Sequence, residues 1–363
     1  MTQTRREILQ SAARNLTGAS LLGLTGAASS TAQAGFWQKN TTIPFGAAVS
    51  THHVRDDAAF RRALIGHCQM LVPEGALKWF DLRPAPDVFD FADADLIVDF
   101  ARQNGLTMRG HTLVWYAAMP DWAKRITQRH TAEYELSRHI DTVVGRYRGV
   151  IPSWDVVNEP ISDDPAGLFD IRASVWSQTL GRSYVETAFR RAAAADPNAH
   201  LIINEYDIEF VGPRFRAKRD ALRRLIFDLK DRDVPIHGIG LQSHLRGPLT
   251  IDREGISQFV ADMNGIGLDI LVTELDVIDH KLPGPFEIRD AIIAARAYDL
   301  LEAVFEVVPP KAILTWGLSD RYSWISHMFP RGDGFENRPL PFDKHFQPKP
   351  LWYAIQHFRQ GGA

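Results

Sequence analysis

A single cysteine stands in 363 residues, so no disulfide can form within the chain. Cys68 lies in the mixed run His67-Cys-Gln-Met-Leu71, and a free cysteine in such a setting reads as a buried, inert thiol rather than a nucleophile. An excess of one charge is also missing, with 41 Lys and Arg against 44 Asp and Glu. That balance offers nothing to nucleic acid or to an anionic membrane and suits an uncharged substrate. Long apolar runs are lacking too, since the stretch around Leu21 to Leu24 is too short for a permanent membrane span. No Gly-x-Gly-x-x-Gly run follows a strand-like segment, which weighs against a dinucleotide site. His52-His53 are adjacent, so on an extended segment they point opposite ways, and no His-Glu-x-x-His or comparable spacing occurs. The reading therefore implies no cofactor and no metal.

Residues 1–34 stand apart from the rest. Thr4-Arg-Arg-Glu-Ile-Leu-Gln10 carries an arginine pair, an Ala/Leu/Gly-rich stretch follows, and Ala32-Gln33-Ala34 offers the small residues of a cleavage site. This pattern is expected to be a twin-arginine-type signal peptide, with the folded product exported to the periplasm or the medium. Residues 35–363 are expected to form one domain, without an internal repeat or a low-complexity tract.

Short runs rich in Ile, Val and Leu recur along that domain. Eight are read as strands: 43–49, 69–72, 107–114, 153–157, 200–204, 238–242, 269–273 and 312–316. Helical periodicity is clearest at 132–147, 174–195, 213–232, 254–264 and 288–307. Alternation of this kind, eight times over with no obvious linker, predicts an α/β fold, a single-domain (β/α)8 TIM barrel. The Pro/Gly-rich segment 319–342 is then a large loop after the eighth strand, on the side where barrel sites form.

The polar and aromatic residues gather where these strands end. Glu159 closes Ser153-Trp-Asp-Val-Val-Asn-Glu159, and Glu274 stands in Ile270-Leu-Val-Thr-Glu274-Leu-Asp276. A barrel brings the ends of distant strands to one rim, and two carboxyls facing one cleft are the minimum equipment for glycoside hydrolysis. Arg109-Gly-His111-Thr-Leu-Val-Trp115, Asn204-Glu-Tyr206-Asp207, Gln242-Ser-His244 and Trp316 fall on the same rim. Any one of these residues alone would pass for a hydrogen-bonded rim or capping residue. Six coincident clusters favour a site.

The stretches Arg109-Gly-His-Thr-Leu-Val-Trp115, Arg146-Tyr-Arg-Gly149, Trp154-Asp-Val-Val-Asn-Glu-Pro160, Gly240-Leu-Gln-Ser-His244, Val272-Thr-Glu-Leu-Asp276 and Trp316-Gly-Leu-Ser-Asp320 resemble those of family-10 glycoside hydrolases, the barrel-type endo-β-1,4-xylanases. The resemblance spans roughly residues 43–358. It implies that Glu159 is the general acid/base and Glu274 the nucleophile of a retaining double displacement, with carboxyls about 5–5.5 Å apart. It further implies that His244 and Asp276 fix the nucleophile, that Asn158 meets the sugar 2-hydroxyl, and that Gln242 and His111 border the same ring. Trp115, Trp316 and Trp324 would offer stacking faces, and Glu74, Lys78 and Tyr206 would contact sugar. The implied partner is a β-linked glycan of the xylan class, handled by a monomer.

The chain departs from the family pattern at a few positions. Gly75 stands where the family usually has Asn, Tyr116 and Ala118 where it commonly has His and Gln, and Asp207 where it often has Asn. Losing amides removes hydrogen bonds of about 1 kcal/mol each, so unusual recognition of the non-reducing sugars is expected, with Gly75 and Ala118 making room. Other readings stay open: a β-1,4-glucanase or mixed-specificity glycanase, a transglycosylase, and, more distantly, a non-catalytic glycan-binding barrel or a metal-dependent barrel enzyme.

Overall fold

Eight of the apolar runs become the staves of one barrel in the computed structural model, which describes residues 42–167 and 170–361. The expected signal peptide, and with it the expected boundary after residue 34, lie outside the described residues. The strands are β1 (Phe45–Val49), β2 (Met70–Pro73), β3 (Thr107–Val114), β4 (Ser153–Asn158), β5 (His200–Glu205), β6 (Gly238–Leu241), β7 (His244–Arg246), β8 (Asp269–Ile278) and β9 (Ile313–Thr315). All pair in parallel. Strands β1 to β6 follow in order, β6 joins β8, and β8 joins β9, which returns to β1 and closes the ring. The short β7 stands outside the ring and, among the described residues, pairs only with the upper part of β8.

The barrel strands are buried along almost their whole length, as parallel staves under helices must be. Helices at Ala58–His67, Ala92–Gln103, Arg129–Arg146, Ser183–Ala195, Pro213–Asp231, Arg253–Gly265, Phe286–Phe305 and Pro350–Arg359 cover the outside. Their apolar stripes, such as Leu222, Leu225, Ile226 and Leu229, join strand residues such as Leu201, Ile203 and Ile239 in one large core. A second, smaller apolar cluster gathers Ala48, Met70, Val72, Ala312, Leu314 and Trp316 from β1, β2 and the β9 region, with Trp324 packed on it.

Two departures from expectation matter for the site. The helical pattern at 174–195 breaks at Gly181, whose φ of +66° ends the short helix Val175–Leu180 before Ser183–Ala195 begins. Strand β8 runs five residues beyond the expected 269–273, because β7 supplies a partner for its upper end. Glu274 and Asp276 therefore lie within a strand, not just past one. The loop expected at 319–342 exists, but it contains a short 3₁₀ turn, Asp320–Tyr322, and a helical turn, Ile325–Met328, that hold Trp324 over the rim.

Candidate active site

A cleft of about 480 Å³ opens at the C-terminal ends of the strands. Among the residues read from sequence, Glu74, Lys78, His111 and Trp115 reach it from β2 and β3, and Asn158, Glu159 and Tyr206 from β4 and β5. Gln242, His244 and Glu274 line it from β6 to β8, and Trp316 and Trp324 follow β9. Asp276 is fully buried behind His244. Every expected site residue is thus brought together.

Strand register explains how. Asn158 is the Cα partner of Asn204, and Asn204 of Gly240. Asn204 Nδ2 donates to Asn158 Oδ1 at 2.8 Å and to Glu274 Oε1 at 2.6 Å. Its Oδ1 accepts from Thr273 Oγ1 at 2.7 Å, which sets the amide so that its N–H groups face the carboxylate. A Cβ on Gly240 would lie 2.1 Å from that same Oδ1. Glycine is therefore what lets Asn204 occupy the space.

Glu274 is gripped from its other side as well. His244 is the Cα partner of Asp276 in the β7–β8 pair. Its Nδ1 lies 2.9 Å from Asp276 Oδ1 and its Nε2 3.1 Å from Glu274 Oε2. Trp324 Nε1 donates to Asp276 Oδ2 at 2.7 Å, tying this cleft-lining indole to the same chain of bonds. Burial opposes a charge on His244, but the two carboxylates outweigh it and hold the ring protonated well above its usual range. Burial likewise works against the Glu274 carboxylate. His111, His244 and Lys78 overcome it, and the pKa falls to about 2.

Glu159 has the opposite character. Burial, the largest influence, raises its pKa and the nearby Glu274 charge adds to it, against the hydrogen bonds that Trp115 and Gln242 donate. Asn158 Nδ2 at 3.2 Å and Gln242 Nε2 at 3.1 Å donate to Oε1, and Trp115 Nε1 donates to Oε2 at 2.8 Å. With one donor instead of two, Oε2 is the oxygen with room for an acidic proton. The backbone of Glu159 holds φ +55°, a left-handed conformation that costs a non-glycine residue roughly 1 kcal/mol or more. Its N–H donates to Asn204 O at 2.8 Å and its C=O accepts from Arg172 Nε at 3.1 Å, so the turn is pinned at both ends.

Around this pair, His111 Nδ1 lies 3.0 Å from Asp155 Oδ2, whose other oxygen accepts from buried Arg109 at 2.5 Å. Lys78 sits over the Trp115 ring at 4.6 Å. Burial lowers its pKa, against the pull of Glu274, Glu74 and Glu159, and burial also raises that of Glu74. Tyr206 donates to Asp163 Oδ1 at 2.6 Å, in a network with Arg172 and Lys218.

The departures fall differently from expectation. Gly75 and Ala118 do not line the cleft; Gly75 borders an adjoining cavity, and the Ala118 carbonyl accepts from the Phe80 N–H at 2.8 Å. Asp207 is not grouped with Gly75, because β5 ends on a different part of the rim from β2. Its carboxylate is shared by Arg214 and Arg246, the latter at 2.7 Å. Sequence reasoning assigned no role to Asn204, Thr273, Gly240 or Arg172, and read Trp115 only as a stacking face. The pairing of Asn158 with Asn204, each near the end of an adjacent stave, is the signal that would have found the bridge.

Residues 35–358 match the family model described as glycosyl hydrolase family 10. The chain belongs to that family. The Beta-1,4-xylanase of Dictyoglomus thermophilum is 36% identical over 324 residues, covering 86% of this chain and 87% of that one. The thermostable celloxylanase of Thermoclostridium stercorarium is 35% identical over 348 residues, covering 86% and 84%. The crystal structure of native xylanase 10B from Thermotoga maritima superposes with a TM-score of 0.79 at 33% identity, covering 88% of this chain and 95% of that chain. As a family-10 barrel, the protein is a glycoside hydrolase, and its two cleft glutamates lie where a barrel enzyme of this class does its chemistry.

Proposed function

We propose that this protein is a retaining endo-β-1,4-xylanase in which Glu159 is the general acid/base and Glu274 the nucleophile. The observation that carries the reading is the pair itself: two buried carboxyls with pKa values pushed apart, joined through Asn158 and Asn204. A Glu274 oxygen attacks the anomeric carbon, the glycosidic C–O bond breaks, and Glu159 gives its proton to the leaving oxygen. Once Glu274 is an ester its charge is gone, and the repulsion that helps keep Glu159 protonated goes with it. Glu159 then takes a proton from the incoming water, which releases the sugar with its configuration retained. Trp316 and Trp324 supply uncharged faces for sugar C–H surfaces.

Activity on mixed xylan and β-glucan is the second reading, favoured by the side-chain-free wall at Gly75 and by the printed name of the celloxylanase relative. Product analysis by mass spectrometry on xylans, linear xylo-oligosaccharides and cello-oligosaccharides, with Glu274→Ala as control, tests both. Cleavage of xylan-type substrates by the wild type alone supports the xylanase reading; cleavage confined to cello-oligosaccharides refutes it in favour of a glucanase. Inactivity of folded protein on the whole panel contradicts both and leaves a glycan-binding barrel.

We also propose that residues 1–34 direct export through a twin-arginine route and that the barrel acts as a monomer. The arginine pair Arg5-Arg6 and the Ala32-Gln33-Ala34 site support the first. Retention of the precursor in the cytoplasm on Arg5→Lys/Arg6→Lys substitution is the expected result, and unaltered export would refute it.

A further inference from the structure

The cleft does not end at Trp324. Beyond Glu74, Lys78 and Trp324, which border both spaces, it continues into a second lobe of about 550 Å³. Three segments build the lobe: the start of the helix after β1, with His52 and His53; the turn after β2, with Gly75; and the loop after β9, with Arg321, Tyr322 and His327. Gly75 brings no side chain to this wall, and a Cβ there would lie 2.9 Å from Asp81 Oδ2.

The lining is polar and one-sided. Among the described residues that line the lobe, Glu74 is the one carboxylate, and it faces the Lys78 ammonium, whereas Arg321 and three imidazoles supply nitrogen donors. The lobe is also built rather than merely open. Asp57 accepts from Arg321 Nη1 at 2.9 Å and from Tyr322 Oη at 2.8 Å, which fixes the guanidinium while leaving its side chain 42% exposed. His52 Nδ1 lies 2.7 Å from Ser50 Oγ. His53 stacks on the Tyr322 ring with centroids 3.7 Å apart, giving a flat wall of sugar-ring dimensions.

We propose that this lobe receives a carboxylate-bearing sugar branch, a uronate substituent carried on the glycone part of a β-1,4-linked chain. The inference rests on the glycanase reading of the adjoining cleft. Arg321 meets the branch carboxylate, with His52 and His327 as further donors, and the Tyr322–His53 face carries the sugar ring. Hydrogen bonds between a guanidinium and a carboxylate are roughly twice as strong as neutral ones, so the branch charge is what the lobe reads. The main chain of the substrate stays uncharged, in keeping with the near-balanced composition of the protein.

The test compares three matched xylo-oligosaccharides: linear, bearing one uronate branch, and bearing the methyl ester of that branch. Wild type is expected to cleave the branched chain so that the branch is found on the glycone-side product, at a kcat/KM about tenfold above that of the ester. Arg321→Gln and His327→Ala should remove that preference and leave the linear chain unaffected. Equal rates on acid and ester, exclusion of the branch from the glycone product, or parallel losses on linear and branched chains in both variants would each overturn the proposal. Absence of cleavage of the linear chain by wild type would instead refute the glycanase reading beneath it.

Discussion

Asn204 Nδ2 lies 2.6 Å from Glu274 Oε1 and, through its second contact at 2.8 Å, binds the side chain next to Glu159. One amide thus holds the nucleophile candidate in register with the acid candidate. Asn204→Ala removes a donor to a charged carboxylate, a bond of about 1.5–3 kcal/mol. The expected result is a kcat lower by roughly 10–100-fold with little change in KM, measured by steady-state kinetics.

The space around that amide is equally specific. Gly240→Ala sets a methyl 2.1 Å from Asn204 Oδ1, and overpacking of this kind costs about 1–3 kcal/mol. Both thermal stability and kcat should fall. Thr273→Val is the gentler probe: it removes the hydroxyl that bonds Asn204 Oδ1 at 2.7 Å and frees the amide to turn its oxygen toward Glu274. The acid limb of the pH–rate profile should then move to higher pH, and Thr273→Ser should restore it.

The two carboxyls predict the shape of that profile. Glu274, held at about 2, leaves the acid side of kcat/KM flat through the ordinary carboxylate range. The alkaline side falls as Glu159, raised by burial, loses its proton. Trp115 opposes that rise by donating to Oε2. In Trp115→Phe the alkaline limb should therefore shift upward in pH while kcat drops about tenfold from lost orientation. A downward shift would contradict the assignment of Glu159 as the acid.

Stability carries its own pH signature through Glu209. This buried carboxyl accepts from the N–H groups of Ile208 and Ser243, and burial, with Asp207 beside it, raises its pKa to about 7. The folded state then binds more protons than the unfolded chain between the ordinary glutamate range and about 7. Its contribution is present in full below that window and lost as pH rises through it, by up to about 3 kcal/mol. Melting temperatures of wild type should fall across the window, and those of Glu209→Gln should fall less.

Proton donor and nucleophile are both supplied by carboxyls in this account. Activity should survive prolonged treatment with EDTA, followed by reducing-sugar release. A loss restored by a divalent cation would revive the metal-dependent reading.

Most of the architecture was legible because it depends on pattern. Alternating β-branched runs and amphipathic stretches specify staves and covering helices, and all eight expected strands form, with ends shifted by one or two residues, apart from the longer β8. Site membership was legible for the same reason: residues at strand ends must meet on one rim. What stayed hidden was what register and side-chain direction decide. The Cα pairing of His244 with Asp276 depends on β7, three residues too short to carry a periodic signal. The donor role of Trp115 depends on where its indole N–H points, and the placement of Gly75 in the adjoining lobe depends on the course of the β2 loop.

The central claim, that Glu274 attacks the anomeric carbon and Glu159 serves as acid and base, is tested most directly by trapping the intermediate. Wild-type protein incubated with a 2-deoxy-2-fluoro-xylobioside bearing a good leaving group should gain one glycosyl mass, and peptide mapping should find it on Glu274. Glu159→Ala should still form the adduct from this activated substrate but turn it over slowly, with rescue by an added nucleophile such as azide. An adduct on another residue, or an unlabelled enzyme that releases product of inverted configuration, would contradict the account.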